Sequence, residues 1–187
     1  MHYYPGTLVE KTDLSGEQFL QGIFIATNGL VMRQLNEITG INTPAIQNWV
    51  SRGFISRPIQ KRYSKDSVAR IFIINELRTT MSLDDIKKLL VFVNGRVGDS
   101  QDDIIPESTL YSYFCKIVFD EKFAYNCVNE LIDKVLEDYS EKISGSKSRL
   151  KTALEIICVN YLAGKLAKRS NQLLNDITGQ NIFGEEL

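Results

Sequence analysis

Residues 35–55 read Leu35-Asn36-Glu37-Ile38-Thr39-Gly40-Ile41-Asn42-Thr43-Pro44-Ala45-Ile46-Gln47-Asn48-Trp49-Val50-Ser51-Arg52-Gly53-Phe54-Ile55, and this stretch decides the fold. Leu35 and Ile38 continue a helical period begun at Leu30 and Val31, and Gly40 stands where a helix ends on a left-handed residue. A helix is therefore expected over residues 30–39. Thr43 is expected as the N-cap of a second helix, with Pro44 at its first position, where the missing N–H costs nothing. That helix runs to about Arg52 and is ended by Gly53. Only Gly40, Ile41, Asn42 and Thr43 join the two, a connection of the length used in a helix-turn-helix. The second helix should turn Ile46, Trp49, Val50 and, at its end, Gly53 inward. Ala45, Gln47, Asn48, Ser51 and Arg52 are left facing solvent or a ligand, and Phe54 and Ile55 return to the core.

Working outward, Ser56 to Tyr63 reads as a tight two-stranded ribbon with a basic tip at Arg57, Lys61 and Arg62. Ser64 caps a third helix through Val68, Ile71, Phe72, Ile74 and Leu77. Ser82 with Asp85 caps a fourth through Ile86, Leu89 and Leu90. Upstream, the Ser15 and Gln18 capping pattern leads into Phe19, Leu20, Ile23 and Phe24 on one helix face, and Asn28-Gly29 stops it.

Downstream, Asn94 to Ile105 is a Gly- and Asp-bearing loop where the module boundary is placed. Pro106 opens an aromatic-rich helix, Asp120 or a neighbour starts another through Val128, Leu131, Ile132, Val135 and Tyr139, and Ser144-Gly145-Ser146 breaks the chain. The long pattern from Lys147 to Asp176 would make a helix of about 45 Å at 1.5 Å per residue. That exceeds the needs of a small module and points to contact with a second subunit. The organisation expected is an N-terminal extension with a short helix (1–29), a unit built on the helix-turn-helix (30–92), a linker (93–105), a helical C-terminal module (106–176) and a tail (177–187).

Composition limits the chemistry. Of 187 residues, 43% are apolar and 24% charged, as in an ordinary globular protein. The longest uncharged stretch, Gln18 to Met32, is too short and too polar to span a bilayer. No secretory signal is visible at Met1–Pro5, so a cytoplasmic location is expected. The single histidine, His2, lies in a terminus expected to be loose, which removes histidine triads and histidine metal sites. Cys115, Cys127 and Cys158 have neither zinc nor redox spacing and are expected as reduced, packed thiols. No cofactor and no enzymatic activity are expected. The net charge of −1 conceals a division: residues 30–92 hold ten bases against five acids, and six of those bases lie between Arg52 and Arg70. A basic module joined to an acidic remainder makes a polyanion the first partner to consider.

The run from Leu35 to Leu90 resembles the winged helix-turn-helix DNA-binding domain of MerR-type transcription regulators. Leu35-Asn36-Glu37-Ile38-Thr39-Gly40-Ile41 matches its first helix, and Ile46, Trp49, Gly53, Phe54 and Ile55 its recognition helix and exit. Arg62-Tyr63-Ser64 matches the end of its wing, and Met81 to Leu90 a following helix. The sequence looks closer still to an uncharacterised MerR-like family of Gram-positive bacteria, in which a similar Lys-Arg-Tyr-Ser segment precedes an Ile-rich helix. The resemblance covers about a third of the chain and implies a mainly α fold with a small β wing, duplex DNA as partner, and a dimer. The sequence departs from the MerR pattern at Gln47 and Asn48, where an Arg-Tyr pair is usual, and in a shorter wing. It also has an interruption at Val93-Asn94-Gly95 and no metal-sensing cysteine pair.

For DNA, the helix start at Thr43 can meet a phosphate, and the amides of Gln47 or Asn48 match adenine N6 and N7. Ser51 and Arg52 lie along the same face, while Arg57, Lys61 and Arg62 can neutralise flanking phosphates. Trp49 and Tyr63 are expected in the core. Tyr111, Tyr113, Phe114, Phe119, Phe123 and Tyr125 are expected to pack rather than line an effector pocket. The aspartates at 99, 102 and 103 lack the spacing of a calcium loop. The rival to DNA binding is a protein-interaction module that keeps the same scaffold but no longer binds DNA.

Overall fold

A computed structural model of the chain describes residues 2–25, 28–95, 97, 103–141 and 143–179. Among these residues the architecture is mainly α, with eight α-helices and one two-stranded sheet. Ser15 caps α1 (Gly16–Phe24) as expected: its hydroxyl accepts from Gln18 N at 3.1 Å, and Gln18 Oε1 accepts from Ser15 N at 2.8 Å.

The segment before α1 is pinned rather than loose. Tyr3 bridges Glu10, Lys11 N donates to the His2 carbonyl, and Tyr4 is buried, its ring stacked on Phe19 at 3.9 Å. The expectation of a free terminus failed because the anchors for Tyr4 and Pro5 lie far along the chain. Tyr111 Oη, for example, donates to the Pro5 carbonyl at 2.9 Å.

Leu30 and Val31 form strand β1, not the first turn of a helix; α2 starts at Met32 and ends at Thr39. They pair antiparallel with β2 (Arg62–Tyr63), Leu30 opposite Tyr63 and Val31 opposite Arg62. Gln34 Oε1 accepts from the Val31 N–H at 3.0 Å, so α2 begins one step beyond the strand. Gly40 ends α2 in the left-handed region at φ 70°, as its position predicts.

The centre of the molecule is α4 (Lys65–Leu77), capped by Ser64, which accepts from Ser67 N. From Val68 to Ile74 every residue is buried, and Leu77 joins them. A helix apolar on all sides must be covered on all sides. α1, α2, α5 (Leu83–Asn94), α6 (Glu107–Val118) and α8 (Ser146–Gly179) all pack on it. Fully burying each large apolar side chain contributes roughly 1.5–3 kcal/mol before entropy is counted.

One buried cluster thus runs from Tyr4 to Tyr161. The expected linker is stitched at both ends: Asn94 Nδ2 donates to the Ile105 carbonyl at 2.7 Å, and Ile104 and Ile105 are buried. Asp99 and Asp102 lie outside the described residues. Asp120 does not start a helix. Its carboxylate accepts from Lys122 N at 3.0 Å and closes a turn, and α7 (Val128–Val135) begins eight residues later. Of the expected packing aromatics, Tyr111 and Phe114 are fully buried, whereas Tyr125 is exposed. Cys115 and Cys158 are buried free thiols, and burial pushes the Cys158 thiol up to about 12. Among the described residues no helix is long and apolar enough to cross a membrane.

Candidate nucleic-acid interface

One asparagine sets the turn between α2 and the next helix, α3 (Thr43–Ser51). Asn36 donates through Nδ2 to the Ile41 carbonyl, and its Oδ1 accepts from Thr43 Oγ1 at 3.1 Å. With its hydroxyl engaged there, Thr43 is not the cap. Asn42, with extended backbone at φ −75° and ψ 154°, accepts from Ala45 N at 2.9 Å instead. Helix α3 is therefore Thr43–Ser51, with Thr43 at its first position and Pro44 at its second. The expected cap moves by one residue, and the connection shortens to Gly40–Asn42.

Ile46 and Trp49 anchor α3 in the core, and Val50 is half-buried beside them. Gln47, Asn48, Ser51 and Arg52 are exposed, so both amides of the expected reading face are free to meet a ligand. Ser51 Oγ donates to the Asn48 carbonyl at 2.9 Å. Gly53 is exposed rather than inward, in the left-handed region at φ 70°. Phe54 N donates to the Trp49 carbonyl and Gly53 N to Val50, a Schellman ending that returns Phe54 and Ile55 to the core.

The hairpin that follows is tight. Ile59 and Arg62 exchange two backbone hydrogen bonds of 3.0 and 2.8 Å, leaving only Gln60 and Lys61 between them at φ 49° and 64°. Two left-handed residues are what a two-residue hairpin turn requires. For side chains other than glycine this conformation costs roughly 1–2 kcal/mol each. Arg62 then pairs with Val31, and its Nη1 donates to the Gly29 carbonyl at 3.0 Å, so its guanidinium braces the hairpin. Tyr63 is core, as its spacing suggests.

The expected cations have different surroundings. Arg57 and Lys61 are exposed and have no ion-pair partner among the described residues. Arg52 pairs with Asp84 at 3.0 Å and lies over the Phe54 ring. Arg70, counted in the basic cluster, is buried: it donates through Nε to the Phe54 carbonyl at 2.7 Å and through Nη1 to Glu107. It offers nothing to a polyanion. Sequence reasoning passed over Lys87, which stands over the Phe54 ring and lines the same shallow groove as Ser51 and Arg57. Its neighbour Lys88 is occupied: hydrogen-bonded to Asp85, it holds that carboxyl below the ordinary range. No group of three or more metal-ligating side chains occurs among the described residues.

A family model described as Domain of unknown function (DUF1836) matches residues 11–114, more than half of the chain. The chain belongs to this family. The DUF1836 match begins at Lys11, includes α1 to α5 and stops inside α6, so it takes in both the α2–α3 pair and much of the core around α4. Uncharacterized protein YkrK of Bacillus subtilis (strain 168) is 30% identical over 101 residues, 51% of this chain and 43% of that protein. The match thus spans less than half of that relative's length. No solved structure matches the chain.

Proposed function

We propose that residues 30–92 act as a MerR-like winged helix-turn-helix that binds duplex DNA sequence-specifically, and that the protein is a bacterial, cytoplasmic transcription regulator. The observation that carries this reading is the pairing of two features in one short stretch. Exposed Gln47 and Asn48 stand on a capped, core-anchored helix, and the hairpin that follows bears the unpaired cations Arg57 and Lys61. Amides in the major groove read adenine, and flexible cations on either side neutralise phosphates. Thr43, Ser51, Arg52 and Arg62 would lie on the same surface, with Lys87 added to the set.

Binding to a duplex library at graded salt tests both halves. Arg57→Ala with Lys61→Ala is expected to weaken binding to all sequences alike and to flatten the slope of log affinity against log salt by about 0.9 per lost phosphate contact. Gln47→Ala and Asn48→Ala should each relax preference at one or two A·T pairs, a loss of about 5- to 150-fold there, with non-specific affinity kept. The protein-interaction reading has one observation in its favour: Arg52 is paired and Arg70 buried, which thins the cationic surface. Absence of salt-dependent duplex binding by the wild-type chain would decide for it.

The same reading includes a homodimer through the C-terminal helices. α8 has 34 residues, about 50 Å, and beyond Tyr161 none of its residues up to Ile177 is buried. Ala163, Leu166, Ser170, Leu173 and Ile177 nevertheless keep a three-four spacing, with Leu166 70% exposed. A second copy would cover that seam and set two reading helices on a two-fold site. Sedimentation is expected to show a dimer that Leu166→Glu with Leu173→Glu converts to monomer. A wild-type monomer at micromolar concentration sinks this part of the proposal.

A further inference from the structure

The apolar residue at the hairpin tip is not explained by phosphate neutralisation. Ile59 is 81% exposed, follows Pro58, and stands between the unpaired cations Arg57 and Lys61. A branched aliphatic side chain makes no bond to phosphate, and in water it is simply unsatisfied apolar surface. It is also held firmly. Both of its backbone hydrogen bonds to Arg62 are made, Arg62 is tied to Val31 on its other side and to the Gly29 carbonyl through its side chain, and the turn has no spare residue. Gln60 and Lys61 keep left-handed conformations where glycine or asparagine is the usual choice. Strain retained at a tip that buries nothing within the chain points to a task outside it.

We propose that Ile59 is a wedge: it enters the minor groove of bound duplex DNA, partly unstacks one base step, and bends the duplex. The inference rests on the DNA-binding reading above and adds a residue that sets specificity by deformation rather than by hydrogen bonds. Apolar side chains on minor-groove proteins act in this way, unstacking a step and kinking the duplex toward the major groove, with flanking cations on the phosphates. Pyrimidine–purine steps, the easiest to unstack, are the expected position.

The test uses the full chain and duplexes recovered with it from a random library. Bend angle is read by end-to-end fluorescence transfer, and unstacking by 2-aminopurine placed at each pyrimidine–purine step. Wild type is expected to bend the duplex by at least about 20° and to brighten one 2-aminopurine position. Ile59→Ala should lose the bend and the signal and bind roughly tenfold more weakly, while Ile59→Leu keeps all three. The residue is exposed, and matching thermal melts will show that the variants are folded. Wild-type binding with an unchanged bend and affinity in Ile59→Ala overturns the wedge and leaves DNA binding standing. So does an affinity loss with no bend in either protein, which would assign Ile59 to a thymine methyl. If the wild type recovers no duplex, the DNA reading itself falls and takes the wedge with it.

Discussion

Replacing Glu107 by Ala is expected to cost about 3–5 kcal/mol of folding stability, because it strands a guanidinium in the core. The side chains of Arg70 and Glu107 are 6% and 10% exposed, and the pair joins α4 to α6 across the expected module boundary. Arg70 also holds the Phe54 carbonyl, the first buried residue after α3. Arginine has no neutral form to retreat to. Glutamate does, so the opposite variant behaves differently.

Burial already pushes the Glu107 carboxyl above the ordinary glutamate range, against the pull of Arg70. A raised folded value means that the stability linked to this group is fully present below the unfolded value, about 4.3, and is lost as pH rises through the folded one. Arg70→Met removes the counter-charge and raises that value further. Its cost should therefore be smaller at pH 5 than at pH 8, whereas the cost of Glu107→Ala should run the other way, larger at pH 5 than at pH 8, because that variant lacks the group whose linked stability the wild type loses. The double variant Arg70→Met with Glu107→Leu should lie closer to wild type than either single one. Urea unfolding at the two pH values measures all of this. A cost below about 1 kcal/mol for Glu107→Ala would show that the pair is not a buried ionic contact.

The sequence carried those features whose cause is local. The caps at Ser15, Ser64 and Ser82 and the left-handed Gly40 follow from side chains within three or four residues. The exposed face of α3 was legible because Ile46 and Trp49 define its opposite. Features settled at a distance were not. Leu30 and Val31 continue a helical period, and only the arrival of Arg62 and Tyr63 makes them a strand. Asn42 and Thr43 are both good caps, and the choice falls to Asn36, which takes the threonine hydroxyl from the preceding helix. Arg70 did leave a signal that was overlooked. It sits among Val68, Ala69, Ile71, Phe72, Ile73 and Ile74, and a stretch of helix apolar on every side leaves a cation in its middle no route to water. The clamped N-terminal segment left none, since its partners Glu76 and Tyr111 are about 70 and 105 residues away.

Gly6→Ala is expected to cost about 2–5 kcal/mol, from overpacking added to a left-handed backbone. Gly6 has φ +71°, and a methyl group there would lie 1.9 Å from the Phe72 carbonyl oxygen, on the backbone of the central helix. Neither side can yield cheaply. Gly6 N donates to Glu76 Oε2 at 2.6 Å, its carbonyl accepts from Asn75 at 2.9 Å, and the neighbouring Pro5 carbonyl is held by Tyr111. Gly53→Ala is the control, since its φ of +70° is almost the same but nothing lies within 4 Å of the added methyl. It should show the backbone cost alone, roughly 1–2 kcal/mol. The difference between the two unfolding free energies isolates the steric part, and equal values would mean that the segment shifts aside freely. The consequence reaches the proposed interface. Leu8 N donates to the Ile38 carbonyl at 2.7 Å, and Asn75, which binds Gly6, also donates to the Thr39 carbonyl. Those carbonyls end α2, next to the turn that aims α3. Lifting the segment should therefore raise amide exchange in residues 36–42 as well as in 3–10, and loosen the aim of Gln47 and Asn48 without touching either.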